Sequence, residues 1–159
     1  MRSSLVRIVL VLLLIPATLC GRAWGFGSRA KIAEAVANPA VLADFEEQAL
    51  HADPREQCYR YTQLVQVLTE IAGHAMVEGD ADKANAVLAK VERYAELIHR
   101  ALAKNTHKLR QTEELMEATT YRFGEYLHAA AVDDTTSMRE TLKKLDKVHN
   151  EVLTEVFQH

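Results

Sequence analysis

Residues 81–130 read ADKANAVLAKVERYAELIHRALAKNTHKLRQTEELMEATTYRFGEYLHAA, and this stretch decides the fold. One stripe of side chains recurs along it at alternating steps of three and four residues, a spacing that places them on one face of an α-helix. No proline interrupts the stretch, and its single glycine is Gly124. The stripe consists of Ala84, Leu88, Val91, Ala95, Ile98, Leu102, Asn105, Leu109, Thr112, Met116, Thr119, Phe123, Tyr126 and Ala130.

The unbroken register predicts one continuous helix over about residues 81–131, which would be about 75 Å long. A strict seven-residue repeat also predicts left-handed, coiled-coil-like winding of the helices that pack on it. The polar stripe positions Asn105 and Thr112 would form an open seam near its middle. The alternative is a turn near residues 104–107, which would produce a compact four-helix bundle from helices of ordinary length.

Capping signals place a shorter helix on either side of this stretch. Asp53-Pro54-Arg55-Glu56 combines an N-cap, a first-turn proline and a Glu three residues after the cap, and predicts a helix over 54–78. Gly79-Asp80 closes that helix and caps the next. A capping box at Ser137 predicts a last helix over 137–157. We therefore expect an all-α fold of antiparallel hairpins built on the long helix 81–131.

The N-terminus has the features of a secretory signal peptide over residues 1–25. Its start is basic, Ile8 to Ile15 is an unbroken apolar run, and Ala23-Trp24-Gly25 offers small residues for cleavage. The apolar run is too short to span a bilayer comfortably. We predict an exported protein, periplasmic or secreted, with no stable membrane insertion after cleavage. A retained anchor and lipidation at Cys20 are the alternatives, and the bulky Leu19 disfavours the second.

Two segments follow the signal peptide. Residues 26–53 are rich in alanine and are broken by Asn38-Pro39, which predicts a short, partly mobile helical segment. Residues 54–159 form the helical domain. Cleavage removes three arginines and no acid, so the net charge falls from −3 to −6. An acidic domain lacks the basic surface that nucleic acids bind, so we expect no nucleic-acid partner.

Cys58 is the only cysteine that follows the signal peptide. It therefore cannot form an internal disulfide, even in an oxidising compartment. A small buried side chain is the favoured interpretation, ahead of an intermolecular disulfide.

The seven histidines are the main indication of a metal site. Glu96-x-x-His99 and Glu125-x-x-His128 have the spacing that di-iron bundles use. On one helix the two histidines would lie about 43 Å apart, and about 24 Å apart if the chain folded back near Asn105. Neither arrangement lets the two pairs share a metal centre.

A single-metal site would need residues that meet across the turn near Asp133. Antiparallel pairing brings His149 toward Glu113 and Glu117, and His128 toward Met138. A His with two Glu suits borderline or hard ions, and a His with a Met suits copper. The favoured interpretation is that His149 is a core histidine bonded to a Glu, and that the protein holds no metal.

No nucleophile motif, phosphate-binding loop or carboxylate pair indicates an enzyme or a bound cofactor. The five tyrosines are interpreted as aromatic core residues. The stripe over 81–131 is longer than the flanking helices can cover, which favours an exported interaction protein that binds a protein partner or a second copy. The alternative is a metal-binding or metal-sensing helical bundle that uses its histidines.

Overall fold

The computed structural model of the protein describes residues 24–102, 106–131 and 135–158. The regular secondary structure of these residues is entirely α-helical, as the sequence predicts. The predicted signal peptide lies almost wholly outside the described residues. The six helices are α1 (Trp24–Ala37), α2 (Pro39–Leu50), α3 (Gln57–Glu78), α4 (Ala81–Leu102), α5 (Leu109–Ala129) and α6 (Thr136–Gln158).

Helices α3 to α6 form a four-helix bundle in which each helix packs against two others. The hairpins α3–α4 and α5–α6 are antiparallel and lie side by side. Helices α3 and α5 run parallel, because Lys108 contacts Glu56 at their starts and the Ala131 amide donates to Met76 at their ends. Helices α4 and α5 are therefore diagonal to each other, as are α3 and α6.

The predicted continuous helix over 81–131 is wrong. Helix α4 ends at Leu102 and α5 begins at Leu109, so the compact four-helix alternative is confirmed. The Thr106 hydroxyl donates to the carbonyl oxygen of Ala101 at 3.0 Å, and so gives a hydrogen bond to a carbonyl group in the last turn of α4. Lys108 then adopts a left-handed backbone, with φ of 60°, immediately before α5. A turn thus forms without the glycine or proline whose absence favoured a continuous helix.

The compact fold buries Thr112, one of the two positions of the predicted open seam. Thr112 is fully buried, and its hydroxyl donates to the Lys108 carbonyl oxygen at 2.9 Å. Asn105 lies outside the described residues. Both halves of the predicted stripe face the core, where packing of four amphipathic helices removes their apolar faces from water. The largest fully buried side chains include Leu64, Leu68, Met76, Leu88, Ile98, Met116, Phe123, Met138 and Leu145.

The predicted helix ends are close to those observed, with two corrections. Helix α3 begins at Gln57 rather than Pro54, because residues 54–56 form a turn in which the Asp53 carboxylate accepts from the Arg55 amide at 2.9 Å. Gly79 ends α3 with φ of 82°, and the Asp80 carboxylate accepts from the Lys83 amide at 3.0 Å, as predicted.

The capping box at Ser137 is the second correction. Helix α6 begins at Thr136, and its first turn is closed by the Arg139 amide, which donates to the Thr135 carbonyl oxygen at 3.0 Å. Ser137 therefore lies inside the helix instead of before it.

Two short helices precede the bundle, separated at Asn38-Pro39 as predicted. The Asn38 side chain accepts from the Ala40 amide at 3.0 Å and caps α2. Both helices pack on α3, with Ala35 and Ala49 buried. The predicted mobility of this segment stays a prediction. None of the helices in the described part of the chain is both long enough and apolar enough to cross a membrane.

Candidate functional site

Tyr121 projects from the outward face of α5, and 72% of its surface is exposed. The α5 residues Met116, Thr119, Phe123 and Tyr126 face the core. Position 121 lies on the opposite side of the helix from that stripe. Phe157 is the other widely exposed residue among the tyrosines and phenylalanines of 30–102, 106–131 and 135–158, but it lies in the last turn of α6. Tyr121 is instead held in the middle of a packed helix.

A groove of about 670 Å³ lies on one side of Tyr121, between α1, α3 and α5. We call it the α1–α3–α5 groove. Helix α1 contributes an apolar wall, and the opposite wall carries polar side chains from α3 and α5. Its lining residues are Ile32, Ala33, Val36, Gln66, Glu70, His74, Ala118, Tyr121 and Arg122.

A hydrogen-bonded cluster holds the polar wall of this groove in place. The Tyr126 hydroxyl donates to a carboxylate oxygen of Glu70 and accepts from Arg122 Nη2 at 3.1 Å. Arg122 Nε lies 3.5 Å from the other Glu70 oxygen, and the guanidinium carbon lies 4.6 Å from the Tyr126 ring centroid. The His74 ring is adjacent, with 5.5 Å between ring centroids.

The electrostatics of this cluster keep the phenol protonated. Burial raises the pKa of Tyr126, and the hydrogen bond to Glu70 and the charge of that carboxylate raise it further. The hydrogen bond to Tyr126 raises the pKa of Arg122, which therefore stays charged. Glu70 and Arg122 compensate each other, so the cluster positions the wall of the groove without adding net charge to it.

A second groove, of about 480 Å³, lies on the other side of Tyr121, between α5 and α6. We call it the α5–α6 groove. Ala118 and Leu142 provide its floor, and carboxylates stand around it. Its lining residues are Glu114, Glu117, Ala118, Thr120, Tyr121, Leu142 and Asp146. Tyr121 and Ala118 are shared by both grooves, so the outward face of α5 forms one continuous surface, which we call the Tyr121 surface.

The structure brings two of the predicted metal candidates together, His149 and Glu113, but gathers no third ligand around them within the described residues. His149 Nε2 lies 3.2 Å from a carboxylate oxygen of Glu113, and both side chains are largely buried, as expected of a core histidine bonded to a Glu. Glu117 is exposed and lines the α5–α6 groove. His128 is exposed, whereas Met138 is fully buried in the core. Within the described residues, no group of three His, Cys, Asp or Glu side chains could hold a metal ion.

His99, the histidine of the other Glu-x-x-His pair, contacts a glutamate on a different helix. His99 Nδ1 lies 2.7 Å from a carboxylate oxygen of Glu151 on α6, while Glu96 pairs with Arg100 at 3.5 Å. His99 therefore joins α4 to α6 at the surface of the bundle.

The interpretation of all five tyrosines as core residues is wrong for Tyr121. The signal that identifies it is present in the sequence, because residue 121 falls between the stripe positions 119 and 123. Comparison with protein-family models, curated proteins and solved structures finds no significant match to this chain.

Proposed function

We propose that the chain is an exported interaction protein that binds a protein partner through the Tyr121 surface. The observation that supports this proposal is the exposed ring of Tyr121, fixed on a packed helix between two grooves. The sequence predicted the same function from a long, uncovered apolar stripe, and the exposed Tyr121 ring now takes the place of that stripe as its support. Export is supported by the basic start, the short apolar run and the cleavage residues of the N-terminus.

An exposed tyrosine on a rigid helix suits protein recognition for physical reasons. Its ring offers a large contact area with only two rotatable side-chain bonds, so little entropy is lost when a partner covers it. Tyrosine is enriched among the few residues that supply most of the binding energy of an interface. The grooves on both sides of the ring can accept partner side chains, which would exclude water from around it.

The experiment places a photo-crosslinking amino acid at Tyr121 in the full-length chain, expressed in its native cell. The matched control carries the same amino acid at Ala89, an exposed position of α4, which is diagonal to α5 in the bundle. We expect a discrete protein adduct at position 121 that is absent at position 89. Equal labelling at both positions, or no adduct at position 121, would contradict the proposal.

A binding measurement with the crosslinked partner then tests the role of the ring. Tyr121→Ala should weaken binding by about 2 kcal/mol or more, as truncation of a central aromatic contact does. The same change should alter the free energy of unfolding by less than about 0.5 kcal/mol, because the side chain is exposed. Unchanged affinity would remove Tyr121 from the interface.

Export is tested separately by the intact mass of the native protein. Cleavage after Gly25 should leave a chain that begins at Phe26 and retains the α1 residues Ile32 and Val36 of the groove wall. A mass that includes residues 1–25, or a lipid on Cys20, would contradict this part of the proposal.

A further inference from the structure

The α5–α6 groove combines an apolar floor with carboxylates that form no ion pair in the described part of the chain. Glu114 pairs with Arg110 at 3.3 Å. Glu117 and Asp146 form no ion pair with any residue of 24–102, 106–131 or 135–158. Lys143 and Lys147 border Asp146 on the side away from the groove, but Lys147 is directed to Glu151 at 4.0 Å and Lys143 forms no ion pair with Asp146. Two unpaired carboxylates therefore stand beside Ala118, Leu142 and the Tyr121 ring.

This combination matches the chemistry of a lysine or arginine side chain. The methylene groups of such a side chain pack on apolar surface while its charged head reaches polar groups. The head would meet Glu117 and Asp146, and an aromatic ring attracts a cation that lies near its face. The net charge of −6 after cleavage would also attract a basic partner over a distance.

We infer that the partner presents a basic segment, and that the α5–α6 groove binds a lysine or arginine side chain of that segment. This inference rests on the proposed function. A second copy of the chain is a poorer occupant, because a symmetric contact through this groove would bring Glu117 and Asp146 against the same carboxylates of the other copy.

The inference is tested with a labelled peptide that carries three arginines separated by Gly-Ser spacers, and with a peptide that carries glutamates at the same positions. Binding to the full mature chain is measured by fluorescence anisotropy. Contacts are located by NMR shifts of the Ala118, Tyr121 and Leu142 amides. We expect the arginine peptide alone to bind, to shift these amides, and to bind more weakly as the salt concentration rises.

Charge-neutral variants make the test specific to the groove. Glu117→Gln and Asp146→Asn should each weaken binding of the arginine peptide about two- to fivefold, the range for an exposed ion pair. Glu125→Gln is the matched control, because it removes one exposed carboxylate from the same helix but lies outside the groove. Equal weakening by Glu117→Gln and Glu125→Gln would show attraction by net charge alone and overturn the inference.

The same variants separate this inference from the proposed function. If the adduct at position 121 forms but neither Glu117→Gln nor Asp146→Asn affects partner binding, the basic segment is excluded and protein binding stands. If the adduct has twice the mass of the chain, the occupant is a second copy and the inference is overturned. If no adduct forms at position 121, the proposed function itself fails, whatever the peptide does.

Discussion

The His107 amide donates a hydrogen bond of 2.8 Å to the carbonyl oxygen of Arg55. This bond joins the connection between α4 and α5 to the turn that precedes α3, 52 residues earlier in the chain. The next residue, Lys108, reinforces the junction with an ion pair of 2.9 Å to Glu56, and its ammonium lies 5.2 Å from the Tyr59 ring centroid. The chain thus reverses at a position held by tertiary contacts rather than by a residue that breaks helices.

The backbone at Lys108 gives a test of this reversal. In a continuous helix, Lys108→Gly would be less stable than Lys108→Ala by about 1 kcal/mol. In the left-handed conformation observed, the order reverses, and Gly should be more stable than Ala by about 1 kcal/mol. Both substitutions remove the contacts to Glu56 and Tyr59, so their difference reports on the backbone alone. Urea unfolding of the two variants measures it, and a more stable Ala variant would contradict the turn.

The preference for a continuous helix over this turn has a simple geometrical cause. Leu102 and Leu109 are seven residues apart, so the connection between the helices happens to preserve the helical phase of the stripe. The long-range contacts of His107 and Lys108 cannot be read from local sequence. Local signals did predict Gly79, Asp80 and the break at Asn38-Pro39, because those residues stabilise their own turns.

Prediction of the candidate site shows the same limit. The periodicity identified the core correctly, since Leu88, Ile98 and Phe123 are all fully buried. It also contains the information that Tyr121 lies off the stripe. The grooves themselves could not be predicted, because they depend on the packing of α1 against α3 and of α6 against α5.

Truncation of core residues should lower the free energy of unfolding far more than truncation of the exposed His128. Leu68→Ala and Ile98→Ala each remove a fully buried side chain, and should each cost about 2–5 kcal/mol of unfolding free energy. His128→Ala removes an exposed side chain and should change it by less than about 0.5 kcal/mol. Chemical denaturation of the three variants measures the contrast. A loss for His128→Ala as large as that for Leu68→Ala would indicate that His128 holds the fold together as a ligand rather than lying free in solvent.

Cys58 should make stability depend on pH in the alkaline range. Burial raises the pKa of Cys58 to about 12, and the nearby Thr112 hydroxyl is a smaller, opposing influence. The unfolded thiol ionises near its ordinary pKa of about 8.5, whereas the folded thiol stays protonated. The contribution of the Cys58 thiol to the free energy of unfolding is therefore complete below the pKa of the unfolded thiol. It is lost as the pH rises toward the folded pKa of about 12.

The measurement compares urea midpoints at pH 8 and at a pH well above 9 for the native chain and for Cys58→Ala. The variant has a cavity at both pH values, so only the change between them is informative. Tyr94 and Tyr126, whose pKa values burial also raises, act equally in both proteins. We expect a smaller alkaline loss in Cys58→Ala, and an equal loss would show that the thiol is not the responsible group.

Substitution by alanine should lower the free energy of unfolding at Gly73 and raise it at Gly124. A Cβ at Gly73 would overlap the Cγ, Cδ2 and Cε2 atoms of the Tyr126 ring, whereas a Cβ at Gly124 would meet no atom within 4 Å. The ring cannot move aside freely, because Glu70 and Arg122 hold its hydroxyl. Gly73→Ala should therefore cost about 1–3 kcal/mol from overpacking, and Gly124→Ala should gain up to about 1 kcal/mol from helix propensity. Thermal or urea unfolding measures both, and Tyr126→Leu should relieve most of the Gly73→Ala penalty if the ring is its cause.

Displacement of Tyr126 would also release Arg122 from the wall of the α1–α3–α5 groove, so Gly73→Ala should weaken partner binding at the Tyr121 surface more than Gly124→Ala does. Equal penalties at the two glycines, or no relief by Tyr126→Leu, would show that Tyr126 does not pack against Gly73 as described.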